Sequence, residues 1–296
     1  MKSQILLSAL GLISSTTAIP SPISARVAGS PVGYGAGLTT ARIVYIDGLL
    51  SDCGIVDVGS NVSIFGKGTK SGVTNSGFRV RKGTNVIFQN LALGPAPPKG
   101  DILAIDESTK IWVDHNTFIS HGLTGGKDDY DGLLDISHAA DFITVSWNKF
   151  SGHWKGSLVG HSDNNAAQDT GKLHVTYHHN QFDKVNSRLP SVRFGTVHVF
   201  NNHITGSDTS GVNSRMGAQV YVENSVFDNT KLAMVTDLDS DLPGYLCDVG
   251  NLLTGTSTTR ITQKCSLKIP YTYKADAVTS VAASVAAGAG VGKVSP

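Results

Sequence analysis

Six octapeptides recur along the chain: "NVIFQNLA", "IWVDHNTF", "ITVSWNKF", "VTYHHNQF", "VHVFNNHI" and "VYVENSVF". Each begins with β-favouring apolar residues, preceded in the first by Asn85, and carries Asn90, Asn116, Asn148, Asn180, Asn202 or Ser225 at its sixth position. A weaker copy, "NVSIFGKG", has Gly66 there, and successive separations are 24, 26, 32, 32, 22 and 23 residues. A period this short holds one or two strands and glycine-marked turns, with no room for a crossover helix. That excludes a doubly wound α/β fold and predicts an all-β solenoid, a parallel β-helix of stacked coils. It also predicts a ladder. An asparagine at the same corner of every coil can donate to one neighbour and accept from the other, which satisfies a buried polar stack.

The solenoid is expected over residues 27–296, with 276–296 as an arm packing along it. Val278, Val281 and Val285 lie at helical spacing within that arm, up to Gly288. At the other end, Lys2, an apolar run from Ile5 to Ile13 and a small-residue "TTA" form the pattern of a secretory signal. Cleavage is expected near Ala18, with a pro-segment reaching to about residue 26 as a variant reading. A secreted, extracellular protein can carry disulfides. Of Cys53, Cys247 and Cys265, the last two are the expected pair and Cys53 is expected to be free and buried. Asn61-Val62-Ser63 is a glycosylation sequon. A formal charge of +1 argues against a nucleic-acid binder, and no later stretch reads as a membrane helix. Nothing marks an oligomer, so a monomer is expected.

The chemistry-bearing residues are acidic and basic groups on neighbouring coils. "DYDGLLDISHAADF" places Asp131 and Asp135 four apart, on one side of an extended strand. Asp114 in "WVDHNTF" joins them if its coil stacks beside theirs. Three uncompensated carboxylates would repel, which points to a hard cation such as Ca²⁺; separate surface aspartates are the other reading. "NSRLPSVRFG" sets Arg188 and Arg193 five apart around Pro190, a clamp for something anionic. Lys155 by itself reads as a solvated lysine. His178 and His179, adjacent on a strand, should face opposite sides and not share a metal; they and His161 read as structural.

"WVDH", "DGLLDI", "ITVSWNKF", "HWKGSLVGHSD", "RLPSVRFG" and "VHVFNN" together resemble, in order, the secreted pectate lyases of polysaccharide lyase family one, fungal members above all, over Ile43 to Gly292. The resemblance implies a right-handed single-stranded parallel β-helix that cleaves polygalacturonate by Ca²⁺-dependent β-elimination. It implies Asp114, Asp131 and Asp135 as calcium ligands and Arg188 as the group that takes the C5 proton. It implies Lys155 and Arg193 as holders of substrate carboxylates. An arginine base requires activity to favour alkaline pH. Pectin lyase, a β-helical hydrolase and a non-catalytic polysaccharide-binding solenoid are the rivals. The acidic trio argues against the first, the missing paired acid and base of a glycosidase against the second, and the Lys155, Arg188 and Arg193 set against the third. Two departures stand out. Between Thr40 and Ala41 the chain lacks about a strand and a capping helix, which should leave the first coil uncovered. Asp129 stands where an aromatic is common and is expected to add charge near the metal.

Overall fold

The computed structural model describes residues 31–38 and 42–295; the expected signal segment lies outside them. The octapeptide starts form one nine-stranded parallel sheet, running from Arg42–Ile46 to Tyr245–Val249. A second, sixteen-stranded sheet forks at the long strand Gly72–Arg81. One end of that strand pairs with Ala92–Leu93 and the other with Leu103–Asp106, so the sheet splits into two further faces. The result is a parallel β-helix with three faces.

Strand alternation sends one column of each octapeptide inward. Val86, Ile111, Ile143, Val175, Val197, Val220 and Leu246 stack in register and are fully buried or nearly so. The eighth position forms a second column, Phe118, Phe150 and Phe182, with rings 4.5 and 4.6 Å apart. Such stacked pairs add roughly 0.5–1.5 kcal/mol each beyond area burial. The solenoid thus repeats one core solution coil after coil.

The polar ladder exists but is shifted at its start. Asn116, Asn148, Asn180 and Asn202 each have a backbone N–H donating to the next side-chain oxygen. Ser225 takes the place after Asn202, and Asn251 extends the stack beyond it. Asn90 does not belong. Register pairs Val86 with Ile111, so Leu91 holds that corner and its N–H donates to Asn116 Oδ1. Asn90 sits one residue early, at φ 59, donating to Gly66 O and Gly68 O.

Its carbonyl oxygen serves the C-terminal arm. Helix Val278–Gly288 buries Val281 and Val285 against Val226. The chain then runs back across the coils: Gly290 N–H donates to Trp147 O, Val291 N–H to Thr117 Oγ1 and Gly292 N–H to Asn90 Oδ1. At the opposite end, strand Leu49–Asp57 is exposed over most of its length, with Leu49 54% accessible. Among the described residues, nothing packs over most of that strand.

Cys247 and Cys265 are disulfide-bonded, with Cα atoms 5.1 Å apart. Cys53 is free, but it is exposed rather than buried because it lies on that uncovered strand. The side chain of the sequon residue Asn61 accepts from Asn85, and Asn61 itself is exposed. His178 and His179 meet, with Nδ1 atoms 3.0 Å apart. The expected opposite facing fails because His179 has left the strand, at φ 54, and the corner turns its ring back. Among the described residues no helix is long and apolar enough to cross a membrane.

Candidate active site

Three carboxylates converge on one face of the forked sheet: Asp101, Asp131 and Asp135, with an oxygen of each within 4.8 Å of the others. Asp135 lies on strand Leu134–Ser137 and accepts from Leu158 N–H, 3.1 Å away on the next coil. Asp131 lies in the turn before that strand. His153 fixes the turn: its Nε2 donates to Asp131 O (2.7 Å), and its Nδ1 faces the Ser120 hydroxyl (2.6 Å). Burial pushes His153 down, so the neutral ring serves as donor on one side and acceptor on the other.

Asp101, on the preceding coil, was not expected from sequence. Pairing of Leu103 with Leu134 puts it beside Gly132. The frame counted from the octapeptides runs along a different face, so its spacing did not transfer to this one. Asp114 is the converse error. It ends strand Thr109–Asp114 in the nine-stranded sheet, 1% exposed, where Gln89 Nε2, Ser146 Oγ and His115 Nδ1 surround its carboxylate. Its register partners are Gln89 and Ser146, not the coil neighbours of Asp135. Strand parity told which side of a strand Asp114 occupies but not which of three faces that strand joins. Asp129 is likewise elsewhere: it accepts from Gly126 N–H (2.8 Å) and closes its own turn.

The cluster fits a hard cation on two observations. Asp101 Oδ1 is buried with no hydrogen-bond partner. A Cβ on Gly132 would land on the Asp135 carboxylate, so "DGLLD" needs glycine there to leave room for the acid. Crowding without a cation is costly. Burial and the charges of Asp135 and Asp131 push Asp101 up to about 9, and burial pushes Asp135 up to about 6 despite Arg188. Asp101, Asp131 and Asp135 could hold Ca²⁺ through one or more oxygens each, leaving positions of a six- to eight-oxygen shell for water or an incoming carboxylate.

Cations line the same face. Lys155, ending strand Lys149–Lys155, reaches Asp131 Oδ1 at 3.2 Å and Asp128 Oδ1 at 3.4 Å. Arg188 follows strand Gln181–Ser187 in the left-handed region, φ 62, and acts electrostatically on Asp135. Arg193 ends strand Ser191–Arg193. Arg215, overlooked in the sequence, pairs in register with Arg193 and is 4% exposed. Burial, Arg193 and Arg188 bring it down to about 10. Register, which no local motif announces, makes this a cationic cluster rather than a pair.

The family model described as "Pectate lyase" matches residues 40–294. The chain belongs to the pectate lyase family. It is 47% identical over 217 residues to the probable pectate lyase B of Aspergillus terreus, covering 71% of this chain and 66% of that one. It is 44% identical over 263 residues to pectate lyase B of Colletotrichum gloeosporioides, covering 88% and 78%. The chain thus spans about two thirds to four fifths of the length of these two relatives. Among solved structures, pectate lyase Bsp165PelA from Bacillus sp. N165 in complex with trigalacturonate superposes with a TM-score of 0.83. The identity there is 30%, over 90% of this chain and all of that one. The fold is the right-handed parallel β-helix of these pectate lyases.

Proposed function

We propose that this protein is a secreted, calcium-dependent pectate lyase that cleaves α-1,4-polygalacturonate by β-elimination. The observation that carries the reading is the convergence of Asp101, Asp131 and Asp135 on the face that also holds Lys155, Arg188 and Arg193. The trio serves as the calcium site, with Asp101 in the place the sequence assigned to Asp114. A bound Ca²⁺ supplies positive charge to a substrate carboxylate, which acidifies the adjacent C5–H. Lys155 and Arg193 hold carboxylates of the polymer and orient it across the coils. Arg188 takes the C5 proton of the galacturonate following the scissile bond. The C5–H electrons form the C4=C5 double bond as the C4–O bond breaks, its electron pair going to the glycosidic oxygen, which takes a proton from water. Arg188 acts as base only from its uncharged form, so turnover rises into the alkaline range. Lys155, Arg193 and Arg215 crowd positive charge on this face and stabilise the enolate-like charge as it grows.

The Cys247–Cys265 disulfide supports an oxidising, extracellular destination, and the exposed Asn61 is available for glycosylation there. The test is ultraviolet absorbance of unsaturated uronate from polygalacturonate, with calcium and again with a chelator. A rising signal that the chelator abolishes is expected. A signal only on methyl-esterified pectin, insensitive to the chelator, would replace the reading with a pectin lyase.

A further inference from the structure

Of the guanidiniums on the cleft face, Arg193 is held by the strongest set of partners, and none of them belongs to the carboxylate trio. Its Nε donates to Asp163 Oδ1, and its Nη1 donates to Gly160 O at 2.9 Å. Both partners come from "LVGHSD", the segment after strand Ser157–Val159 on the preceding coil. Gly160 is at φ 83, and a Cβ there would lie 2.8 Å from Arg193 O and 3.0 Å from Arg193 Cβ. The glycine lets the two coils approach closely enough for its carbonyl to receive the guanidinium.

Asp163 does more than pair. Its Oδ1 also accepts from Ser240 Oγ at 2.9 Å, and its Oδ2 accepts from Asp241 N–H at 3.2 Å. Burial raises the Asp163 carboxyl, but Arg193, Ser240 and Asp241 outweigh it and hold the group below the usual carboxylate range, so it stays ionised. Directly across the ladder from Arg193 stands Arg215, whose Nη1 donates to Asp239 O in the same downstream loop. Two guanidiniums in register repel, and Asp163 supplies the negative charge that lets Arg193 stay in place. Arginine otherwise surrenders side-chain entropy when it is ordered. Pre-set by two partners, it meets a ligand with its remaining N–H groups already aimed.

We propose that Asp163 is a positioning residue for Arg193, fixing the guanidinium through its Nε edge so that the free edge engages a substrate carboxylate. This rests on the reading of Arg193 as a carboxylate holder. Asp163 does not itself touch substrate. The competing role is structural: Asp163 could matter only because it tethers the Asp237–Leu242 loop.

The experiment compares Asp163→Asn, Ser240→Ala, Arg193→Gln and the Asp163→Asn/Arg193→Gln double variant on polygalacturonate with calcium, with thermal unfolding of each. Asparagine keeps the size of the aspartate, so the fold is retained. Asp163→Asn is expected to raise KM about tenfold with kcat within about twofold, the pattern of lost uniform binding. In the Arg193→Gln background the same change should add less than about twofold, because the group being positioned is gone. Ser240→Ala, which removes one of the two loop hydrogen bonds to Asp163 and leaves the Arg193 pair in place, should leave KM within about twofold. The proposal falls if Asp163→Asn multiplies fully onto Arg193→Gln, or if Ser240→Ala reproduces the rise in KM. If Arg193→Gln itself leaves KM unchanged, the anchoring role of Arg193 fails first and takes the proposal with it.

Discussion

Asn148 sits in the middle of the polar ladder, with no solvent exposure, and its side chain makes four hydrogen bonds. It accepts from Asn116 N–H (2.9 Å) and Asn116 Nδ2 (3.0 Å), and it donates to Val113 O (2.9 Å) and Asn180 Oδ1 (3.0 Å). Asn148→Ala strands the Asn116 N–H, which has no other acceptor. Two of its remaining neighbours keep second partners: Asn116 Nδ2 still reaches Phe88 O, and Asn180 Oδ1 still accepts from Asn148 N–H. A buried orphan donor costs roughly 1–3 kcal/mol and each lost bond with a second partner about 0.5–1 kcal/mol. With a small cavity added, the sum is about 4 kcal/mol. Asn148→Ser should recover about half, since Ser225 already serves the same corner by accepting from Asn202 N–H. Urea unfolding followed by tryptophan fluorescence measures this, with Trp147 one residue away. Hydrogen exchange at the Asn116 amide reads the orphaned group directly. An alanine variant within about 1 kcal/mol of the parent, with Asn116 still protected, would refute the ladder as a source of stability.

Three further outcomes are expected. Because Asp101 and Asp135 sit above their usual carboxylate values, the folded state holds more protons than the unfolded one from about pH 4 up to about pH 9. The metal-free protein should therefore lose thermal stability between pH 6 and pH 8, calcium should restore it, and Asp101→Asn should raise the chelated melting temperature at pH 8 while abolishing the calcium-dependent gain. Arg188→Lys should lower kcat by about a hundredfold or more with little change in melting temperature, read from unsaturated-uronate absorbance; near-parental turnover would remove Arg188 from the proton-transfer step. His178 is held well below its usual value by burial and by His179, His198 and His115, so the fold keeps it neutral. Stability should fall as pH drops below about 6.5, by up to roughly 1.4 kcal/mol per pH unit; the difference between parent and His178→Gln isolates this from the carboxylates, and parallel pH profiles would refute it.

Most of the coil was legible in the octapeptides. Their β-branched starts, the eighth-position phenylalanines and the asparagines of four coils report core-facing and corner positions, because those positions repeat the same local environment every turn. Arg188, Arg193 and Lys155 were legible through motifs, and the structure brings them to the face of Asp131 and Asp135. Asn90 misled because an asparagine one residue early also suits a left-handed corner, so residue type alone did not distinguish the two slots. The histidine pair misled for the same reason: a strand rule was carried one residue past the end of the strand.

The solenoid itself follows from the chain's own period, since a unit of 22 to 32 residues with alternating apolar positions has no other way to bury its strands. Membership of the site does not follow. Asp114 and Asp101 are both aspartates near strands of this solenoid, and nothing in their immediate neighbours says which enters the cluster. Loop lengths decide which face each strand joins, and inter-coil register decides which residues then stand side by side. That is why Asp114 ends sealed by Gln89 and Ser146, while Asp101 meets Asp131 and Asp135 with an oxygen unpaired. Pairings between residues roughly 30 positions apart exist only once the coils are stacked.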